Sequence, residues 1–205
     1  MLRRLASVLA RKREVQMLVV GLDNSGKSSL IFQMKPKKKK KTEAFEATPT
    51  VGFLVEKFVY HNLAITCLDM SGQSKFRTLW EAYFGDVEAI LFVVDSSDRI
   101  RMCVAKNELD ELLQNPRLPP VPMLFLANKM DLDDALTPED TAKVLELHRI
   151  TDRPWHVQYV TPLLLLKLTC FLGPATHSRD LASSTASIGS QPPSPRRRNL
   201  GLPKA

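Results

Sequence analysis

The segment Gly21-Leu22-Asp23-Asn24-Ser25-Gly26-Lys27-Ser28 constrains the fold more than any other part of the chain. It fits G-x-x-x-x-G-K-[ST], and it stands where that pattern has physical meaning. Before it comes Val15-Gln16-Met17-Leu18-Val19-Val20, a short apolar run that reads as a buried strand. After it, Ser29 to Met34 reads as a helix, stopped by Pro36 and the lysines that follow. A strand, a glycine-bounded turn and a helix in succession aim backbone amides inward at a helix N-terminus, which makes a cradle for phosphate anions. Lys27 then reaches the outer phosphates, and the Ser28 hydroxyl suits Mg²⁺, a hard cation that keeps few protein ligands. Asp23, Asn24, Ser25, Gly26, Lys27, Ser28 and Ser29 are the candidate phosphate-site residues.

The rest of the pattern predicts an α/β architecture. Phe53–Tyr60 and Leu63–Asp69 alternate as two arms of a hairpin joined at His61-Asn62. Ala89–Asp95 and Pro122–Asn128 read as buried strands, and Ile100–Leu113 and Pro138–Leu147 as helices. Strands alternating with helices imply a mostly parallel sheet flanked by helices on both faces.

Three further segments carry chemistry. Asn128-Lys129-Met130-Asp131 ends a strand. A carboxylate at Asp131 accepts two hydrogens from guanine, at its ring N–H and its exocyclic amine, and adenine lacks that donor pair. The Lys129 stem lies over the base plane in this reading. Asp69-Met70-Ser71-Gly72-Gln73 ends the second hairpin arm. Asp69 holds Mg²⁺ directly or through water, the Gly72 amide meets the γ-phosphate, and Gln73, the catalytic candidate, orients the attacking water. Pro49-Thr50-Val51-Gly52-Phe53 precedes the hairpin, and Thr50 closes over Mg²⁺ only when γ-phosphate is present, which makes it a switch. The candidate metal set is Ser28, Thr50 and Asp69.

These motifs, with Leu79-Trp80 and Tyr83, resemble the Arf-like branch of the small Ras-type GTPases. The Met70-Ser71 variant, Asp95-Ser96-Ser97-Asp98-Arg99, Met102, Ala105-Lys106 and Pro154-Trp155-His156 are similar to the members that recruit the Bardet–Biedl ciliary coat, the BBSome. The resemblance implies a P-loop NTPase fold with an antiparallel hairpin between two switches, GTP or GDP with Mg²⁺ as cofactors, and slow hydrolysis. It implies an exchange factor, a GTPase-activating protein and a coat or trafficking effector as partners, and a monomer. No arginine finger lies in the motifs, so a partner is expected to supply one. The effector surface maps to Phe53, Leu68 and Tyr83, with Leu68 where the family carries Trp. GTP would shift the hairpin and free an N-terminal helix for lipid, which places the protein in the cytoplasm, peripherally on membrane, at a cilium or basal body.

Charge fits this picture once it is divided. The net charge is +7, but residues 1–14, 35–41 and 159–205 together carry +15 and the remainder carries −8. An acidic core with basic appendages argues against a nucleic-acid coat, and a nucleic-acid-binding ATPase would rest on the overall balance alone. Asn128 and Asp131 argue against that ATPase. Leu2, Leu5, Ala6 and Leu9 share one helical face opposite Arg3, Arg4, Arg11 and Lys12, so residues 2–13 read as a helix on anionic lipid or packed on its own domain. The lysines at 37–41 read as a solvated insertion rather than a lipid patch. Cys67, Cys103 and Cys170 are odd in number and far apart, which suits a reducing cytosol and no zinc site. No run is long enough to span a membrane, the start lacks a signal peptide's apolar region, and Leu2 excludes N-myristoylation.

The resemblance stops at about residue 158. The family continues into a loop whose backbone N–H meets the guanine and then a long final helix. Here Tyr159-Val160-Thr161-Pro162 and the apolar run Leu163–Leu172 follow, and Pro162 donates no backbone hydrogen bond. Residues 173–205 hold 16 Gly, Pro, Ser or Thr in 33, a disordered composition. The expected organisation is an amphipathic helix at 1–14, a C-terminally incomplete GTPase domain at 15–158 without its normal final helix, and a divergent tail at 159–205. That tail reads as a retained intron or misjoined exon, or else as an evolved tail that replaces the helix. A nucleotide-defective or unstable isoform, acting as a protein-binding module, is the competing functional reading.

Overall fold

A computed structural model describes residues 12–36, 48–60 and 63–160, all within the first of two compact units, residues 1–173. Six strands are present among them: β1 Arg13–Val20, β2 Phe53–Tyr60, β3 Leu63–Met70, β4 Ala89–Asp95, β5 Met123–Asn128 and β6 Trp155–Tyr159. They form one sheet in the order β2-β3-β1-β4-β5-β6. Only β2 and β3 pair antiparallel, with Phe53 opposite Met70 and Tyr60 opposite Leu63. The chain leaves β1 between its neighbours β3 and β4, so the strand order reverses there and opens a crevice beyond the strands' carboxyl ends.

The interior strands are apolar on both faces because both faces are covered. On one face α1 (Lys27–Met34) packs Leu30, Ile31 and Met34 against Val15, Met17, Val19, Ile65 and Cys67. Ala89, Leu91, Leu124 and Leu126 on that face are buried as well. On the other face α2 (Met102–Gln114) contributes Met102, Ala105, Leu109 and Leu112. They pack with Leu18, Val20, Phe92 and Phe125, and with Trp80 and Phe84 from a run of 3₁₀ turns over Ser74–Asp86. Each such side chain contributes about 1.5–3 kcal/mol on burial. A third helix, α3 (Pro138–Val144), starts at Thr137, whose Oγ1 accepts the Asp140 N–H at 3.1 Å. Pro138 in its first turn and two acidic residues there complete a standard helix start.

The observed elements depart from the sequence pattern at several ends. β1 begins at Arg13, so Arg13 and Glu14 are strand rather than helix. Its parallel pairing with β3, from Arg13 opposite Leu63, extends it. α2 begins at Met102, because Asp98 Oδ1 accepts the Arg101 N–H at 3.1 Å and holds the preceding turn; Ile100 is 88% exposed instead of lying on the helix's apolar face. α3 ends at Val144, since Glu146 takes φ 53°, and a short 3₁₀ turn follows at Leu147–Arg149. The 3₁₀ run after Gln73 has no counterpart in the sequence reading. Residues 1–11 of the helix expected over 1–14, the lysines at 37–41, the His61-Asn62 turn and everything from Thr161 onward, including the apolar run, the disordered composition and the missing final helix, lie outside the described residues.

Candidate functional site

The glycine-bounded turn Gly21–Ser28 forms a cradle at the reversal point of the sheet. Gly26 precedes α1 at φ 92°, a left-handed conformation that a side chain would strain. A Cβ on Gly26 would also meet the Asn128 amide nitrogen at 2.2 Å. No side chain caps α1 and no acidic residue occupies its first turn, so its leading N–H groups face the cleft unshielded. Lys27 is buried and its Nζ donates to the carbonyls of Gly21 at 3.1 Å and Leu22 at 2.8 Å. Burial lowers its pKa from 10.5 to about 8, against the pull of Asp69 and Asp23.

Ser28 sits between Thr50 and the end of β3. Its Oγ is 3.0 Å from Thr50 Oγ1 and donates to Asp69 Oδ2 at 2.5 Å. Burial raises the Asp69 carboxyl above its usual range, opposed by the Ser28 hydroxyl and the Lys27 ammonium. The other Asp69 oxygen, Oδ1, is buried and has no hydrogen-bond partner. Gly72 crosses directly over the cradle, where a Cβ would lie 2.2 Å from Asp23 N and Leu22 C. The flanking segment is tied down: Trp80 Nε1 donates to Ser71 O at 3.1 Å and Arg77 Nε to Gly72 O at 2.9 Å. Arg77 also pairs with Glu108 on α2.

These elements enclose a cleft of about 340 Å³. Asp23, Asn24, Gly26, Lys27, Ser28, Ser29, Thr50, Gly72 and Gln73 all line it. Ser25 lies behind it with a buried, unpartnered hydroxyl, and Asp69 stands behind Ser28. Asn128 is tied to the cradle, since its Nδ2 donates to Ser25 O at 2.8 Å. Lys129 and Asp131 do not line this cleft. Lys129 takes φ 59° and its Nζ pairs with Asp95 Oδ2 at 2.6 Å, and Asp131 is exposed. Burial raises the Asp95 carboxyl, but hydrogen bonds from Lys129 and Ser97 outweigh it and hold the pKa below the usual value.

Four contributors escaped the sequence reading: Asp95 under Lys129, Arg101 beside Asp23, and the Arg77–Glu108 pair. Asp95 carried a signal, because a carboxylate at the end of a strand beside the reversal point belongs to the ligand crevice. Leu68 corrects an expectation. It is 4% exposed and packs in the core, whereas Phe53 and Tyr83 stay at the surface side, their ring centroids 4.9 Å apart. Lys35, counted with the basic patch, is buried and pairs with Glu56 on β2 at 2.9 Å. Among the described residues no cluster of three or more His, Cys, Asp or Glu could hold a metal, and no helix is long and apolar enough to cross a membrane.

A glycine-turned cradle at the N-terminus of α1, the segments around Thr50 and Gly72 lining the cleft over it and an Asn-Lys-x-Asp loop tied to its back define a P-loop nucleotide hydrolase of the small-GTPase class. The family model "ADP-ribosylation factor family" matches residues 1–167. The chain belongs to the ADP-ribosylation factor family, and it is a small GTPase. It is 48% identical over 149 residues to "ADP-ribosylation factor-like protein 6" of Danio rerio, which covers 72% of this chain and 78% of that relative. It is 41% identical over 152 residues to "ADP-ribosylation factor K" of Dictyostelium discoideum, covering 74% of this chain and 78% of the relative. Among solved structures it is similar to the Arl6 BBS3 small GTPase from Trypanosoma brucei with bound nucleotide analogue GppNp. That likeness has a TM-score of 0.67 and 37% identity, and covers 83% of this chain and 98% of the other.

Proposed function

We propose that this chain is a GTP-dependent switch whose GTPase domain spans residues 15–158, with the cleft between the cradle and the two switch segments as its nucleotide site. One observation carries the reading: Lys27, Ser28, Thr50, Gly72 and Gln73, from three separated segments, line a single cleft, with Asn128 bonded to its rear wall. In this reading the α1 N–H groups and the residues from Asp23 to Ser29 bind the phosphates. Asn128, Lys129 and Asp131 select guanine, with Lys129 fixed by Asp95. The donor set of Ser28, Thr50 and Asp69 fits Mg²⁺: all are hard oxygens, Ser28 Oγ lies within hydrogen-bond distance of both Thr50 Oγ1 and Asp69 Oδ2, and the orphaned Asp69 Oδ1 lacks a partner that a cation or its water would provide. When bound, Mg²⁺ neutralises charge on the outer phosphates. Gln73 positions the attacking water, and the Gly72 amide and Lys27 stabilise the charge that develops on the phosphoryl oxygens. Arg77 is committed to Gly72 O and Glu108, so a GTPase-activating partner supplies the arginine.

The likeness to an Arl6 BBS3 GTPase supports a Bardet–Biedl coat or similar trafficking complex as the effector, at a ciliary membrane. The exposed apolar side chains of the edge strand β2, Leu54, Val55 and Val59, with Val51 and Leu79, suit such a partner.

The test is the nucleotide carried by purified chain. Near-stoichiometric GDP or GTP is expected, with GTP displacing ATP. A monomeric protein free of both guanine nucleotides would overturn the switch and favour the binding-module reading; tighter ATP than GTP would overturn the base assignment. Asp131→Ala is expected to weaken GTP roughly ten- to hundredfold and leave ATP unchanged, because it removes a charged acceptor of two guanine hydrogens.

A further inference from the structure

Arg101, in the turn that starts α2, divides its guanidinium between two carboxylates. Its Nε donates to Asp98 Oδ2 at 2.5 Å, and its Nη1 lies 3.2 Å from both carboxylate oxygens of Asp23. Asp98 also accepts the Arg101 backbone N–H at 3.1 Å. Asp23 and Arg101 are 78 residues apart in sequence, and the parallel pairing of β1 with β4 brings their loops together. Asp23 is part of the cradle and lines the cleft alongside Lys27 and Gly72.

A carboxylate at that place is a problem for a phosphate site. It repels the bound anion, and it repels GTP more than GDP because the outer phosphate adds charge on the same side of the cleft. Lys27 cannot be the full remedy. Its ammonium is engaged by two backbone carbonyls and also faces Asp69. Arg101 is the cation bonded to Asp23: its Nη1, 3.2 Å from both oxygens, neutralises Asp23 and fixes where the carboxylate points. Asp98 occupies the Nε edge of the guanidinium and so holds its plane toward Asp23.

We infer that Arg101 is a positioning residue that sets the preference of the cleft for nucleoside triphosphate over diphosphate, acting through Asp23. This rests on the guanine-nucleotide reading above. The plain alternative is a surface ion pair that only steadies the start of α2, and it predicts equal effects on both nucleotides.

The experiment measures affinities of the full chain for GDP and for a non-hydrolysable GTP analogue by displacement of a fluorescent guanine nucleotide. Arg101→Ala is expected to lower the triphosphate-to-diphosphate affinity ratio about three- to tenfold. Adding Asp23→Asn to Arg101→Ala is expected to bring the ratio back to within about twofold of the wild type, since the repelling charge is gone. Arg101→Gln, which keeps most of the side chain's volume, is expected to behave as Arg101→Ala and serves if the alanine variant does not fold. A ratio unchanged in both Arg101 variants, or one that Asp23→Asn fails to restore, overturns the inference while leaving the switch intact. A wild-type chain that binds neither nucleotide overturns both.

Discussion

Gly72→Ala is expected to weaken binding of a GTP analogue by about a hundredfold while GDP affinity stays within about threefold of wild type. The reason is steric and local. A Cβ at Gly72 would lie 2.2 Å from Asp23 N and Leu22 C and 2.5 Å from Gly21 O. These are backbone atoms of the cradle and cannot rotate aside as a side chain would. Overpacking of this kind costs about 1–3 kcal/mol even when the surroundings relax. Relief here means moving residues 71–73 away from the cradle, yet Trp80 holds Ser71 O and Arg77 holds Gly72 O, so that segment has little slack. Retreat of Gly72 removes its amide from the outer phosphate, which only the triphosphate possesses. Competition titrations with both nucleotides check it. A GTP-analogue affinity within about threefold of wild type would mean that the segment moves without cost and that Gly72 makes no contact of consequence.

Local chemistry made the cradle and most of the sheet readable from the chain. Gly21 to Ser28 between an apolar run and a helix leaves few options, and β4 matches its apolar run from Ala89 to Asp95 residue for residue. The hairpin was readable from its two alternating arms, although among the described side chains of β2 only Phe58, opposite Ile65, is buried. What sequence could not supply was tertiary. The partners of Lys129 and Asp23, Asp95 and Arg101, come from the end of β4 and the loop after it, so no spacing rule joins them. The run of 3₁₀ turns at Ser74–Asp86 escaped because its order comes from anchors elsewhere, Trp80 on Ser71 O and Arg77 on Glu108, rather than from a helical period. Leu68 maps by resemblance to an effector surface, but its place in β3 turns it into a core that contains Trp80 and Phe84.

Lys27→Met is expected to have two effects of opposite sign. Nucleotide affinity falls by about a hundred- to thousandfold, because a charge-assisted contact to the phosphates is worth roughly 1.5–3 kcal/mol and a buried site with its anion unpaired loses more. The nucleotide-free protein, in contrast, is expected to be as stable as wild type or more so. Lys27 is buried in the free site, where burial holds its pKa near 8 against an ordinary 10.5. A lysine whose folded pKa is depressed binds fewer protons than the unfolded chain between those two values. Stability of the wild type therefore rises with pH across about 8 to 10.5, by at most about 3 kcal/mol from this group. Methionine removes that slope, so urea unfolding of nucleotide-free wild type and variant should differ most at pH 7 and converge as pH passes 10.5. Binding runs the other way. An anion beside Lys27 restores the ammonium, so wild-type binding takes up a proton above pH 8 and weakens as pH rises, and the variant shows no such term. A variant that loses nucleotide and is also strongly destabilised at pH 7 would assign Lys27 to holding the cradle through Gly21 and Leu22 rather than to holding phosphate.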